Sequence, residues 1–156
     1  MVTSNKGKAL IHKYEQFRNH PYLCPAGVPT IGWGNTRYSD GSRVTLDDAP
    51  LTRREGDVLF SLILKRVEEK VSKYVWSCIN QDQFDALVSF TYNVGAGNFK
   101  NSTLLKKVNA DPTDIEEIQK QFKRWNKGGG VVLKGLKKRR NEEAYLYNSE
   151  KIWKNT

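Results

Sequence analysis

The chain has 156 residues, 38% of them hydrophobic, with four Trp and seven Tyr; that suffices for one domain with a real core and is not the composition of a disordered chain. A formal net charge of +9 points to a polyanionic partner or neighbourhood, with nucleic acid, acidic lipid and bacterial cell wall all eligible. No stretch approaches the roughly 18 consecutive apolar residues of a membrane helix, and "MVTSNKGKALIHKYEQF" holds no apolar run of signal-peptide length, so the expectation is synthesis in a cytoplasm and no stable membrane insertion.

In chain order, Leu10, Ile11, Tyr14 and Phe17 recur at helical spacing and predict a first helix from about Gly7 to Phe17. From Pro21 to Leu46 the chain is punctuated by Pro21, Pro25 and Pro29 and by glycines at 27, 32, 34 and 41, the pattern of short strands and turns. Within "PTIGWG" the alternation puts Thr30 on the face opposite Ile31 and Trp33. "SDGS" reads as a hairpin turn into "RVTL", giving a small antiparallel sheet.

The remainder reads as helical. Thr52 and Glu55 form a capping box that opens a long helix ending about Val75. A helix follows from Asn80, with Phe84, Leu87, Val88 and Tyr92 as its stripe and Gly95 as its stop. "STLLKKVN" is a short helix, and "TDIEEIQKQFKRW" opens on a capping box at Thr113 and Glu116, with Ile115, Ile118, Phe122 and Trp125 on one face. After the loop "NKGGG", "GLKKRRNEEAYLYN" is a last helix. There are no internal repeats, and the very end reads as frayed. The fold class is α+β.

Glu15 falls near the end of the first predicted helix, four residues after Ile11 and beside Tyr14, so it borders the apolar face. A carboxyl held there has its protonated form favoured, as a general acid needs; a surface glutamate is the plainer reading of the same position. Cys24 and Cys78 do not make a disulfide framework and read as free thiols, with a bridge between them left open. His12 and His20 have no Cys or carboxylate constellation at zinc spacing, His12 reads as a helix-surface residue, and no cofactor is expected. "GGGVVLKGLK" fails the phosphate-loop pattern and "GAGNFK" fails the dinucleotide turn. "LKKRR", Leu136 to Arg140, is the best nucleic-acid feature, but no helix-turn-helix, zinc-finger or RNP pattern accompanies it.

Glu15, eight residues, Cys24, five residues and Thr30 match the E-x8-D/C-x5-T pattern of phage-type lysozymes, glycoside hydrolase family 24, which the chain resembles. "TIGWG" sits where that family has its T-x-G-x-G turn, and the likeness continues through "QDQFDALVSFTYNVGAGNF", "STLLKKVN", "FKRWNKGGG" and "GLKKRRNEEAYLY", nearly the whole chain in order. The resemblance implies a lysozyme-like, two-lobed catalytic domain over 1–156. Its sheet lobe would span about 12–50, its connecting helix about 53–75 and its helical lobe about 76–156. It further implies an endolysin that hydrolyses the β-1,4 bond between N-acetylmuramic acid and N-acetylglucosamine.

By position, the resemblance makes Glu15 the acid that protonates the glycosidic oxygen. Cys24 and Thr30 lie where water or a nucleophile approaches, and Tyr92 and Asn93 line the sugar site, the ring stacking on a pyranose and the amide reading an N-acetyl or hydroxyl group. Many relatives have Asp where Cys24 stands, so the thiol either positions a water with Thr30, acts as a base or nucleophile, or fills space; the Thr30 hydroxyl has the alternative of satisfying a turn. Asn35 stands where some relatives carry His. The expected partners are peptidoglycan glycan strands and a holin or other export route, with no specific nucleic acid and a monomeric state. The enzyme is expected in the host cytoplasm before release and then at the wall. A wall-binding protein without catalysis is the alternative, and a basic nucleic-acid binder a more distant one.

Overall fold

In the computed structural model, which describes the backbone of residues 1–154 and the side chains of residues 1–149, the first helix, α1 (Asn5–Glu15), ends two residues before the predicted stop. The frayed end expected from the sequence lies outside the residues described by side chain. Gln16 takes a φ of +51°, a left-handed conformation that ends a helix, and Phe17 leaves the helical stripe. Its ring packs on the backbone of Gly56, where a Cβ would come within 3.1 Å of Phe17 Cδ2. Released from α1, the chain enters strand β1 (Arg18–Leu23), which pairs antiparallel with β2 (Pro29–Gly32). Arg18 lies opposite Gly32 and Tyr22 opposite Thr30, with an irregularity between the two pairs.

The loop joining these strands is closed by Cys24 N–H donating to the Val28 carbonyl at 3.0 Å and Gly27 N–H to the Cys24 carbonyl at 2.8 Å. "SDGS" makes the expected turn: Gly41 N–H donates to the Tyr38 carbonyl at 3.0 Å, and Asp40 Oδ1 accepts from Ser42 N–H at 2.8 Å. The flanking pairing is a single bridge, Arg37 to Arg43, so "RVTL" is no strand. Thr30, Ile31 and Gly32 of β2 are all buried, so both faces of the strand are covered. Helix α2 (Arg53–Tyr74) opens on its capping box, with Glu55 N–H donating to Thr52 Oγ1 at 3.1 Å and Thr52 N–H to Glu55 Oε2 at 2.7 Å.

Contacts divide the chain into two units, His12–Arg66 and Met1–Ile11 with Val67–Thr156, and the boundaries fall inside α1 and α2. The first unit packs Ile31, Trp33, Val44, Phe60 and Leu64. His12 belongs to this core edge and is no surface residue, its ring stacked on Trp33 with centroids 4.0 Å apart. Trp33 Nε1 donates to Asp57 at 2.8 Å, which gives the buried indole its polar partner.

The second unit is helical. Helix α3 (Gln81–Val94) starts at the Asn80 capping box and stops at Gly95, φ +91°; Gln83 to Thr91 are buried all round it, which makes α3 the centre of the unit. Short α4 (Ala96–Lys100) and α5 (Thr103–Ala110), capped by Ser102, follow. Helix α6 (Ile115–Lys123) is capped by Asp114 and not by Thr113, whose hydroxyl is turned instead to Asp111 Oδ1 at 2.7 Å. "NKGGG" holds a small antiparallel hairpin of β3 (Lys127–Gly128) and β4 (Val131–Val132), because Gly129 and Gly130, φ +58° and +80°, supply the two left-handed residues a two-residue turn requires. Helix α7 (Lys134–Lys154) closes the order. The fold is the α+β class that the sequence predicts.

Candidate active site

Glu15 is the last residue of α1, half-buried, and its carboxyl lies directly on the backbone of Gly34. A Cβ at Gly34 would overlap the Glu15 Oε2 oxygen and stand 2.8 Å from Cδ. Gly34 also has a φ of +73°, so the turn needs glycine twice, for its conformation and for the space the acid occupies. The sequence marks the glycine turn, but only the tertiary contact shows that the acid rests on it. Gly34→Ala is expected to cost about 1–2 kcal/mol of stability through the left-handed backbone. An added Cβ would also displace the Glu15 carboxyl; thermal melting reads the loss, and an unchanged midpoint would mean that the turn tolerates the methyl group.

Cys24 and Thr30 belong to the same unit as Glu15 and flank the β1–β2 connection. Cys24 is half-buried with a free thiol, and Cys78 is exposed and also free. The buried Thr30 donates its hydroxyl proton to the Val28 carbonyl at 2.8 Å, the same carbonyl that receives Cys24 N–H. The turn-satisfying role is therefore real. It leaves the Thr30 oxygen with its lone pairs, so the hydroxyl can meet a water as an acceptor.

Tyr22, which sequence reasoning passed over, ties this group together. It stands opposite Thr30 in the hairpin, and the Arg18 guanidinium lies 4.2 Å from its ring centroid. Burial pushes its hydroxyl above the ordinary value, the Glu15 carboxylate adds to the rise, Arg18 opposes it, and Cys24 adds to it. Tyr22 thus feels both Glu15 and Cys24. The available signal was its period-two relation to Cys24 on an edge strand.

Tyr92 and Asn93 lie in the other unit, in the last turn of α3. Tyr92 is half-buried and Asn93 exposed, so Tyr92 does not complete a buried stripe. Behind them is a buried ionic cluster whose pairing the sequence did not reveal. Glu143 is bound by Arg139 Nε at 3.1 Å and Arg140 Nε at 2.8 Å, and it accepts from Ser89 Oγ at 2.8 Å. Arg139 also donates to the Ser89 carbonyl at 3.2 Å, and Arg140 to Asn93 Oδ1 at 2.9 Å. The signal was two arginines three and four residues before a glutamate on one helix.

A family model described as phage lysozyme matches residues 12–143. The endolysin of Acyrthosiphon pisum secondary endosymbiont phage 1 is 36% identical over 96% of this chain and 99% of its own length. The endolysin of Bacillus phage PZA is 37% identical over 96% of this chain. The chain spans about half the length of the Bacillus phage relatives, 56% of the PZA protein and 54% of that from phage B103. Among solved structures, the endolysin from Escherichia coli O157:H7 phage FAHEc1 superposes with a TM-score of 0.83 at 32% identity, covering 96% of this chain and 95% of that one. The muramidase domain of SpmX from Asticaccaulis excentricus does so at 0.77 and 32% identity, covering 92% and 95%. With an acid, a glycine turn and a Cys–Thr hairpin gathered in one unit and likeness running the length of the chain, this protein belongs to the phage lysozyme family.

Proposed function

We propose that the chain is an endolysin that lyses bacteria by hydrolysing peptidoglycan, at the β-1,4 bond between N-acetylmuramic acid and N-acetylglucosamine. The observation that carries this reading is the seating of the Glu15 carboxyl on Gly34, in the unit that also holds Cys24 and Thr30. An acid held half out of water against a fixed turn is suited to giving one proton to a bridging oxygen. As Glu15 delivers that proton, the bond from the sugar C1 breaks, and its electrons leave with the oxygen. Water then adds to the oxocarbenium-like C1 and releases a proton to solvent, from which Glu15 is reprotonated. The Thr30 oxygen and the Cys24 thiol orient that water, replacing the second carboxylate that many glycosidases use. Tyr92 and Asn93 contact the glycan. The enzyme acts on the wall after leaving the cytoplasm through a holin or another export route, and it works as a monomer.

Mass spectrometry of muropeptides released from purified peptidoglycan tests both the reaction and Cys24. Wild type should release fragments ending in reducing N-acetylmuramic acid. Cys24→Asp should release them too, whereas Cys24→Ala should lose most of the activity, by roughly tenfold or more. Anhydro-muramic ends would mean that no water is activated, which removes the role given to Cys24. Full activity in Cys24→Ala would reduce the thiol to packing.

A further inference from the structure

We propose that Arg140 sets the polarity of the Asn93 amide, so that Asn93 presents hydrogen-bond donors and selects glycans by their acetamido carbonyl. This rests on the glycan-cleaving reading above. A guanidinium has donors and no acceptor, so the Asn93 atom facing Arg140 at 2.9 Å is the carbonyl oxygen, whichever way the amide is drawn. Its NH2 group is then the end turned away from the arginine, on an exposed residue.

Arg140 is held too firmly for the pair to turn over. Its side chain is 1% exposed and paired to Glu143, and its guanidinium lies 5.0 Å from the Phe90 ring centroid. Two arginines converge on one carboxylate, so Arg140 has donors to spare for a neutral oxygen. Arg140 therefore acts as a positioning residue. It touches no sugar, and it decides what the residue that does can offer.

A fixed donor discriminates. A sugar hydroxyl can accept or donate, and would suit either orientation of the amide. An acetamido carbonyl only accepts, so it matches the donor. The ammonium left by removing the acetyl group only donates and would face the Asn93 NH2 with neither group satisfied, a mismatch that costs affinity.

The test measures kcat and KM separately on peptidoglycan strands and on the same strands chemically de-N-acetylated, for wild type, Asn93→Asp and Asn93→Ala. Wild type should prefer the acetylated strands by at least about tenfold in kcat/KM, mostly through KM. Asn93→Asp keeps an acceptor for Arg140 and should melt at or above the wild-type temperature, yet its preference should collapse to within about twofold or reverse. Asn93→Ala adds no charge and should lose the preference as well, while melting lower. Wild-type preference retained in Asn93→Asp would overturn the proposal, as would a marked fall in its melting temperature or a wild type that cleaves both strands equally. No cleavage of either strand by wild type would instead sink the glycan-cleaving reading and the proposal with it.

Discussion

Glu15→Gln should lower kcat/KM on peptidoglycan by about 10²–10⁴, the span that a general acid contributes, and leave the melting temperature within a degree or two of wild type. Glutamine has the shape of the protonated acid and can rest on Gly34 as the carboxyl does. What it lacks is a proton that it can surrender. The side chain is half-buried at a helix terminus, so few packing contacts change. A loss of activity with the fold intact assigns the proton to Glu15. Wild-type lysis by the glutamine variant would take that role away, and a fall of many degrees would make Glu15 a structural group.

Glu143→Gln carries the largest expected effect on stability, about 3–5 kcal/mol, because it leaves buried guanidinium groups without their carboxylate. The side chains of Arg139 and Glu143 are 3% and 0% exposed, so water cannot compensate. The substituted amide offers one acceptor in place of two and turns an NH2 toward a cation. At about 2–4 °C per kcal/mol for a chain of this size, the melting midpoint should fall by roughly 10 °C. A shift of a degree or less would mean that Glu143 does not balance the two arginines. Activity should fall too, since Arg140, once released from Glu143, no longer holds the Asn93 oxygen in place.

These two expectations differ in how far they could be read in advance. Glu15 stands out because its spacing to Cys24 and Thr30 resembles the phage-lysozyme pattern, and a carboxyl is a residue type that can serve as a general acid. Glu143 is one of several charged residues in "GLKKRRNEEAYLY"; its spacing to Arg139 and Arg140 allows a pairing, but spacing does not separate a buried pair from an exposed one. Burial makes the difference, and burial is a property of what α3 and α7 bring together.

Some local chemistry was legible where the partners lie within a few residues. Thr52 with Glu55 caps its helix as the three-residue spacing requires, and the helix expected from Asn80 opens on an Asn80–Gln83 capping box, because a side chain reaches the orphan N–H groups of its own first turn without help from elsewhere. Gly95 ends α3 for an equally local reason. The same reasoning slipped by one residue at α6, where Thr113 and Asp114 are both competent caps and Asp111 takes the Thr113 hydroxyl.

Tertiary structure decided the rest. The end of α1 was set by Gln16 turning left-handed, which lets Phe17 reach Gly56 nearly forty residues away; helical periodicity alone would have kept Phe17 in the helix. In the same way, resemblance to the family pattern singled out Glu15, Cys24, Thr30, Tyr92 and Asn93 as candidates. It could not say that the acid rests on Gly34 or that Arg140 holds one end of Asn93. Those facts depend on which distant groups are packed within hydrogen-bond reach, and only the folded chain brings them there.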